Sequence, residues 1–181
     1  MFLFDEIDAF KEGLQSLKSL DTAQRKAKSR DYIDEVLDLL ITAYVFGTEE
    51  ASVMMDDDIP PDMDEMKKAI ELKIDGKDFR QRIEEHLSEG NIDLIGTVAD
   101  TDAIRVYNTA VLNTGLKAGA TQKTWRTMED DKVRDTHLPL DGITVPIDAY
   151  FYTYDGDKAQ QPGEFEKAQN NANCRCLLEV H

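Results

Sequence analysis

The sequence predicts an α+β protein, with an N-terminal α-helical region of about five helices followed by a small, mainly antiparallel β module. Three observations predict it. Apolar residues recur every three or four positions through the first 118 residues. After Gly119 that period gives way to short runs rich in β-branched and aromatic residues. Asp-Gly and Pro-Gly turns separate those runs, too closely for the helical crossovers that parallel strands need. The chain is therefore expected to divide into a helical region at 1–118, with a linker near 48–62, and a C-terminal α+β module at 119–181.

The helices follow from their apolar stripes. Ile7, Phe10, Leu14 and Leu17 share one face of a first amphipathic helix. Leu20-Asp21-Thr22 breaks it, and Asp21 or Thr22 serves as the next N-cap. Ile33, Val36, Leu37, Leu40, Ile41 and Tyr44 make a broad stripe on a long second helix, expected to stop near Gly47 and to pack on the first. Charge repulsion and paired prolines in Met54-Met55-Asp56-Asp57-Asp58-Ile59-Pro60-Pro61 predict a linker. Its three aspartates lack EF-hand spacing and a glycine, so they read as a solvated turn. Met63, Met66, Ile70 and Ile74 predict a third helix, ended by Asp75-Gly76, with its methionines filling core. Phe79, Ile83 and Leu87 predict a fourth before Gly90. Ile95, Val98, Ile104, Tyr107, Val111 and Leu116 predict a fifth over residues 94–117.

Strands are expected at 123–127, 143–145, 150–154 and 174–180, joined through Asp141-Gly142, Asp155-Gly156 and Pro162-Gly163. Trp125 is expected at the centre of the sheet's core, not as a ligand platform.

Charge narrows the partners. The net charge is −16, and residues 121–181 carry seven Lys/Arg against eleven Asp/Glu, so the first 120 residues hold −12. No basic stripe is available to neutralise phosphates, which argues against nucleic acid as the primary ligand. An acidic surface suits solubility or a basic protein partner. No apolar run approaches the roughly 18 residues of a membrane span. Met1-Phe2-Leu3-Phe4-Asp5 lacks the basic start of a secretory leader, so no membrane association and a cytoplasmic location are expected. Two cysteines cannot organise a disulfide framework.

Chemistry concentrates in Arg134, His137, Cys174, Arg175 and Cys176. Two apart on an extended strand, Cys174 and Cys176 face the same way with Cα atoms about 6.5–7 Å apart, at the outer limit for a disulfide. Together with His137 they offer three zinc donors, the fourth coming from water, Asp131 or Asp135. The alternative is that both thiols pack as small hydrophobes and His137 is hydrogen-bonded within its turn. The absence of a Cys-x-x-Cys knuckle favours that alternative, and both stay open. Arg134 and Arg175 are expected to brace the turn by pairing with Asp131 or Asp135.

Read in order, Trp125, Asp131, Val133-Arg134-Asp135-Thr136-His137, Asp141-Gly142, Pro162-Gly163 and Asn173-Cys174-Arg175-Cys176 resemble the phage head-morphogenesis (Mu F-like) minor head protein family. Thr101-Asp102 and Tyr107-Asn108 resemble the helix that precedes this module, although the family more usually has Glu where Asp102 stands. The match covers roughly the last eighty residues. It marks Trp125, Asp131, Arg134, Asp135, His137, Gly142, Asn173 and Arg175 as a structural signature, with no catalytic residue. The resemblance implies a structural minor capsid protein in the virion or prohead, assembled in the host bacterial cytoplasm. Its partners would be portal and capsid or scaffold proteins of the phage head. Some family members continue into a toxin domain, and the five residues after Cys176 give no expectation of one. No cofactor is expected beyond the structural zinc that His137, Cys174 and Cys176 offer to hold. The alternative is a small nuclease- or transferase-like enzyme using His137 as acid/base and Arg134 or Arg175 for a developing anion.

Overall fold

Aspartates cap three of the helices of this chain. Asp21 and Asp78 each close a capping box with a glutamine three residues on, and Asp62 accepts from the backbone N–H groups of Asp64 and Glu65. The computed structural model describes residues 2–181, and its α-helices are α1 (Phe2–Leu14), α2 (Thr22–Ala27), α3 (Ser29–Met55), α4 (Met63–Ile70), α5 (Phe79–Glu89), α6 (Ile92–Lys117) and α7 (Ala168–Asn171). Six of these precede residue 118, where about five were expected; the extra one is the single capped turn of α2.

The second long helix does not stop near Gly47. It runs to Met55 and ends where Asp56 adopts a left-handed conformation, φ 51°. The front of the expected linker is thus helical, and only the stretch from Asp56 to Asp62 connects α3 to α4. Gly47 serves another purpose: a Cβ there would lie 2.3 Å from the Tyr107 carbonyl oxygen. The residue lets the backbones of α3 and α6 touch, which a glycine permits as readily as it permits a helix end.

α6 is buried on nearly every side, which is why its apolar residues do not confine themselves to one stripe. α3, α5, α1 and α4 pack around it. Its last turn receives the β module: a Cβ on Gly115 would sit 2.8 Å from the Val180 side chain.

The module contains β1 (Gln122–Arg126), β2 (Thr144–Pro146), β3 (Phe151–Tyr152), β4 (Lys158–Ala159) and β5 (Leu177–Val180). β1 is the central strand of an antiparallel β2-β1-β5 sheet, with Trp125 opposite Leu178, and β3 and β4 form a separate hairpin. The predicted strands at 150–154 and 174–180 are shorter than expected, because Thr153 turns back onto Asp157 and because Cys174 to Cys176 precede the ladder. Gly142 and Gly156 take φ of 72° and 81° at the Asp-Gly turns. One hydrophobic core runs from Leu3 through α3 and α6 to Trp125 and Val180 without a break at residue 118. None of the described helices is long and apolar enough to cross a membrane.

Candidate functional site

The site forms where three segments meet under β1. The first is the turn that ends in a 3-10 helix, Leu138–Leu140, with His137 as its N-cap. The second is the approach to β5, carrying Cys174, Arg175 and Cys176. The third is α6, which holds that approach in place.

Asn108 does the holding. Its side-chain carbonyl accepts the Leu178 N–H at 2.8 Å, and its amide donates to the carbonyls of Cys176 (3.2 Å) and Ile104 (2.9 Å). A fully buried asparagine thereby satisfies backbone on the outer edge of the terminal strand, which pairs with β1 only on its other side. The turn is tied to the same approach from the other side. Arg134 donates to the Ala172 carbonyl, and the Thr136 hydroxyl bonds Asn170 at 3.2 Å. Asn173 takes a left-handed φ of 54°, which an asparagine tolerates and which swings the chain from α7 toward Cys174.

Between these clamps, Nδ1 of His137 lies 3.6 Å from Cys174 Sγ and 3.5 Å from Cys176 Sγ. All three side chains are buried, and their donor atoms lie within 4.8 Å of one another. Neither cysteine is in a disulfide. Trp125 meets the imidazole edge-on at 5.5 Å between centroids and Phe165 covers it at 5.2 Å, so the cluster has apolar walls. The hydrogen bond from Cys176 holds the Cys174 thiol well below its usual range, against the opposing effect of burial and with help from His137. The same bond, and then burial, push Cys176 up. The pair thus shares one negative charge more readily than it carries two.

The arginines do not take the expected partners. Arg175 pairs with Asp130, whose carboxyl is held below the ordinary range mainly by that bond, and Arg134 takes a backbone carbonyl. Asp131 and Asp135 are exposed and join neither the ion pair nor the His/Cys cluster. Adjacent aspartates are equivalent in sequence, and the backbone turn alone selects which one faces Arg175.

The signature residues divide accordingly. Trp125 is fully buried at the centre of the sheet. Gly142 closes its turn by donating to the Trp125 carbonyl at 2.9 Å. Gly163 of the Pro-Gly loop rests on α6, where a Cβ would meet the backbone of Arg105 at 2.9 Å. Asp102, fully buried, pairs with Arg82 at 2.5 Å and with Arg105 at 3.5 Å, while Arg105 donates to the Ala69 carbonyl at 2.8 Å. Asp102 was visible in the sequence, but its two arginines were not, since one lies a helix away.

Asp157 escaped sequence reading as well. Its carboxylate accepts from the backbone N–H groups of Lys158, Glu166 and Lys167 and from the Asn170 amide, organising the whole stretch from β4 to α7. Burial opposes its ionisation, but these bonds together hold its carboxyl below the usual range. A cleft of about 370 Å³ opens beside the cluster, lined by residues that include Asp8, Lys11, Asp100, Arg134 and Arg175, but not by His137 or either cysteine.

The family model described as Phage Mu protein F like protein matches residues 63–179. That begins well before the last eighty residues and takes in α4, α5 and all of α6. The minor head protein GP7 of Bacillus phage SPP1 is 35% identical over 57 residues, covering 32% of this chain and 18% of that relative. The aligned part is thus less than a fifth of the relative's length. No solved structure matches.

Proposed function

This chain belongs to the Phage Mu protein F like family, and from that membership we propose that it is a minor head component of a bacteriophage, acting in head morphogenesis near the portal vertex. The observation that carries this reading is the family match from residue 63 to residue 179, supported by the likeness to a protein named as a minor head protein. The role is structural. His137 is 1% exposed and engaged by two sulfurs, while Arg134 and Arg175 are spent on a carbonyl and a carboxylate. Those contacts favour a brace over an acid/base pair that must reach a substrate. The partners are portal and capsid or scaffold proteins, met through an acidic surface that suits basic protein patches.

Deleting the gene from the phage or prophage that carries it tests the role. The expected result is loss of normal heads, restored by the wild-type gene and also by a His137→Ala gene wherever that protein accumulates. Normal heads without the gene would overturn the proposal. Nucleolytic activity of the purified protein, lost in His137→Ala, would favour an enzyme.

A further inference from the structure

We propose that His137, Cys174 and Cys176 form a zinc site that locks the 130–140 turn to the terminal strand. The inference stands on geometry and is independent of the head-assembly reading.

Hydrogen bonding does not account for the cluster. An imidazole nitrogen offers one lone pair or one proton, not both. Nδ1 of His137 nevertheless faces two sulfurs at nearly equal distances, 3.6 and 3.5 Å. A thiol–thiol–imidazole chain satisfies one of those contacts and leaves the other idle. A single cation bonded to all three atoms satisfies both. The spacing has the right size for it: Zn–S of about 2.3 Å and Zn–N of about 2.05 Å, at a tetrahedral angle, separate nitrogen from sulfur by about 3.6 Å.

Charge and support agree with the metal. Two thiolates and a neutral imidazole around Zn²⁺ sum to zero, which suits walls made by Trp125 and Phe165. Soft thiolates with an imidazole select zinc over magnesium or calcium. The backbone that carries each donor is restrained. Asn108 fixes the Cys176 carbonyl, Arg134 fixes the chain before Cys174 through Ala172, and His137 sits at the head of its 3-10 turn with its N–H on the Arg134 carbonyl at 2.9 Å. No carboxylate joins the group among the described residues, so the fourth position goes to water. On binding, whatever proton the pair still holds leaves to solvent and both sulfurs bond the metal as thiolates; no oxidation is involved.

The test uses the full chain, purified under thiol reductant without a polyhistidine tag from zinc-sufficient medium. Elemental analysis is expected to give about one zinc per chain. After removal by chelator, Co²⁺ should produce thiolate-to-cobalt absorption that added Zn²⁺ abolishes. Zinc restored at about a hundred times its dissociation constant should raise the melting temperature by roughly 5–10 °C. Cys174→Ser and Cys176→Ser should each lose the cobalt bands. If those variants do not fold, the wild-type cobalt spectrum and melting shift still decide. Protein that purifies without zinc, shows no cobalt–thiolate band and melts at one temperature with and without zinc would overturn the site. So would zinc retained in full by the Cys174→Ser/Cys176→Ser double variant, because the metal would then lie elsewhere.

Discussion

Two buried polar residues on α6 carry a disproportionate share of the fold. Asn108 pairs with the backbone of Cys176 and Leu178, so Asn108→Ala strands an N–H and a carbonyl in the core and should cost about 2–4 kcal/mol in denaturant unfolding. A loss under about 1 kcal/mol would mean that the terminal strand does not depend on this clamp. Asp102 sits between Arg82 and Arg105, and Asp102→Ala leaves two arginines facing each other, at a cost of about 3–5 kcal/mol. Arg82 and Arg105 are the partners to probe by a double-mutant cycle, which should show strong non-additivity with Asp102. Asp157 makes acid stability a residue-level question. Its folded carboxyl titrates below the ordinary value of 3.8, so its stabilisation is complete above that value and is lost as pH falls through the lower folded one. As pH falls below about 4, the melting temperature should drop more steeply for wild type than for Asp157→Asn, and parallel curves would remove Asp157 as the organiser of its loop.

At the scale of elements, glycines separate contact from ending. Gly47→Ala pushes a methyl into the Tyr107 carbonyl and must part α3 from α6, a loss of more than about 3 kcal/mol. Gly13→Ala, on α1 with nothing within 4 Å of the new Cβ, should instead stabilise by roughly 0.5 kcal/mol. Gly115→Ala meets Val180 and should cost about 1–3 kcal/mol, with Val180→Ala partly restoring the packing in the double variant. Thermal unfolding of the three alanine variants checks this order. The contrast also marks where sequence reading ran short. A glycine after an apolar stripe signals a helix end and a close approach equally well, and only the position of Tyr107 distinguishes the two. Most of the stripes, a cap at Asp21 or Thr22, Trp125 as the sheet's centre and the Asp-Gly turns were legible, because each follows from residue type and local spacing. The third stripe reads as a longer helix than it is: α4 ends at Ile70, Ile74 lies in a bridge to Lys77, and Met63 is exposed instead of filling core. The partners of Arg175, Asp102 and Asn108 were not legible, because they depend on which of several equivalent groups the tertiary fold brings near.

For the molecule as a whole, the helical region and the β module share one core, with α6 buried against both. The family match follows the same continuity, since it begins at α4 and spans that helix. One continuous core suits the proposed role of a part that keeps its shape within a larger assembly, and the His137, Cys174 and Cys176 cluster lies beside the start of its last strand. The proposed head role fixes where the protein must be found. Quantitative mass spectrometry of purified proheads and mature particles, from the phage that encodes this chain and from a portal-deficient mutant, tests it most directly. A minor head component near the portal should be present in wild-type particles at far fewer copies than the major capsid protein, and depleted from particles that lack the portal. Particles free of the protein, or equal amounts with and without the portal, would contradict it.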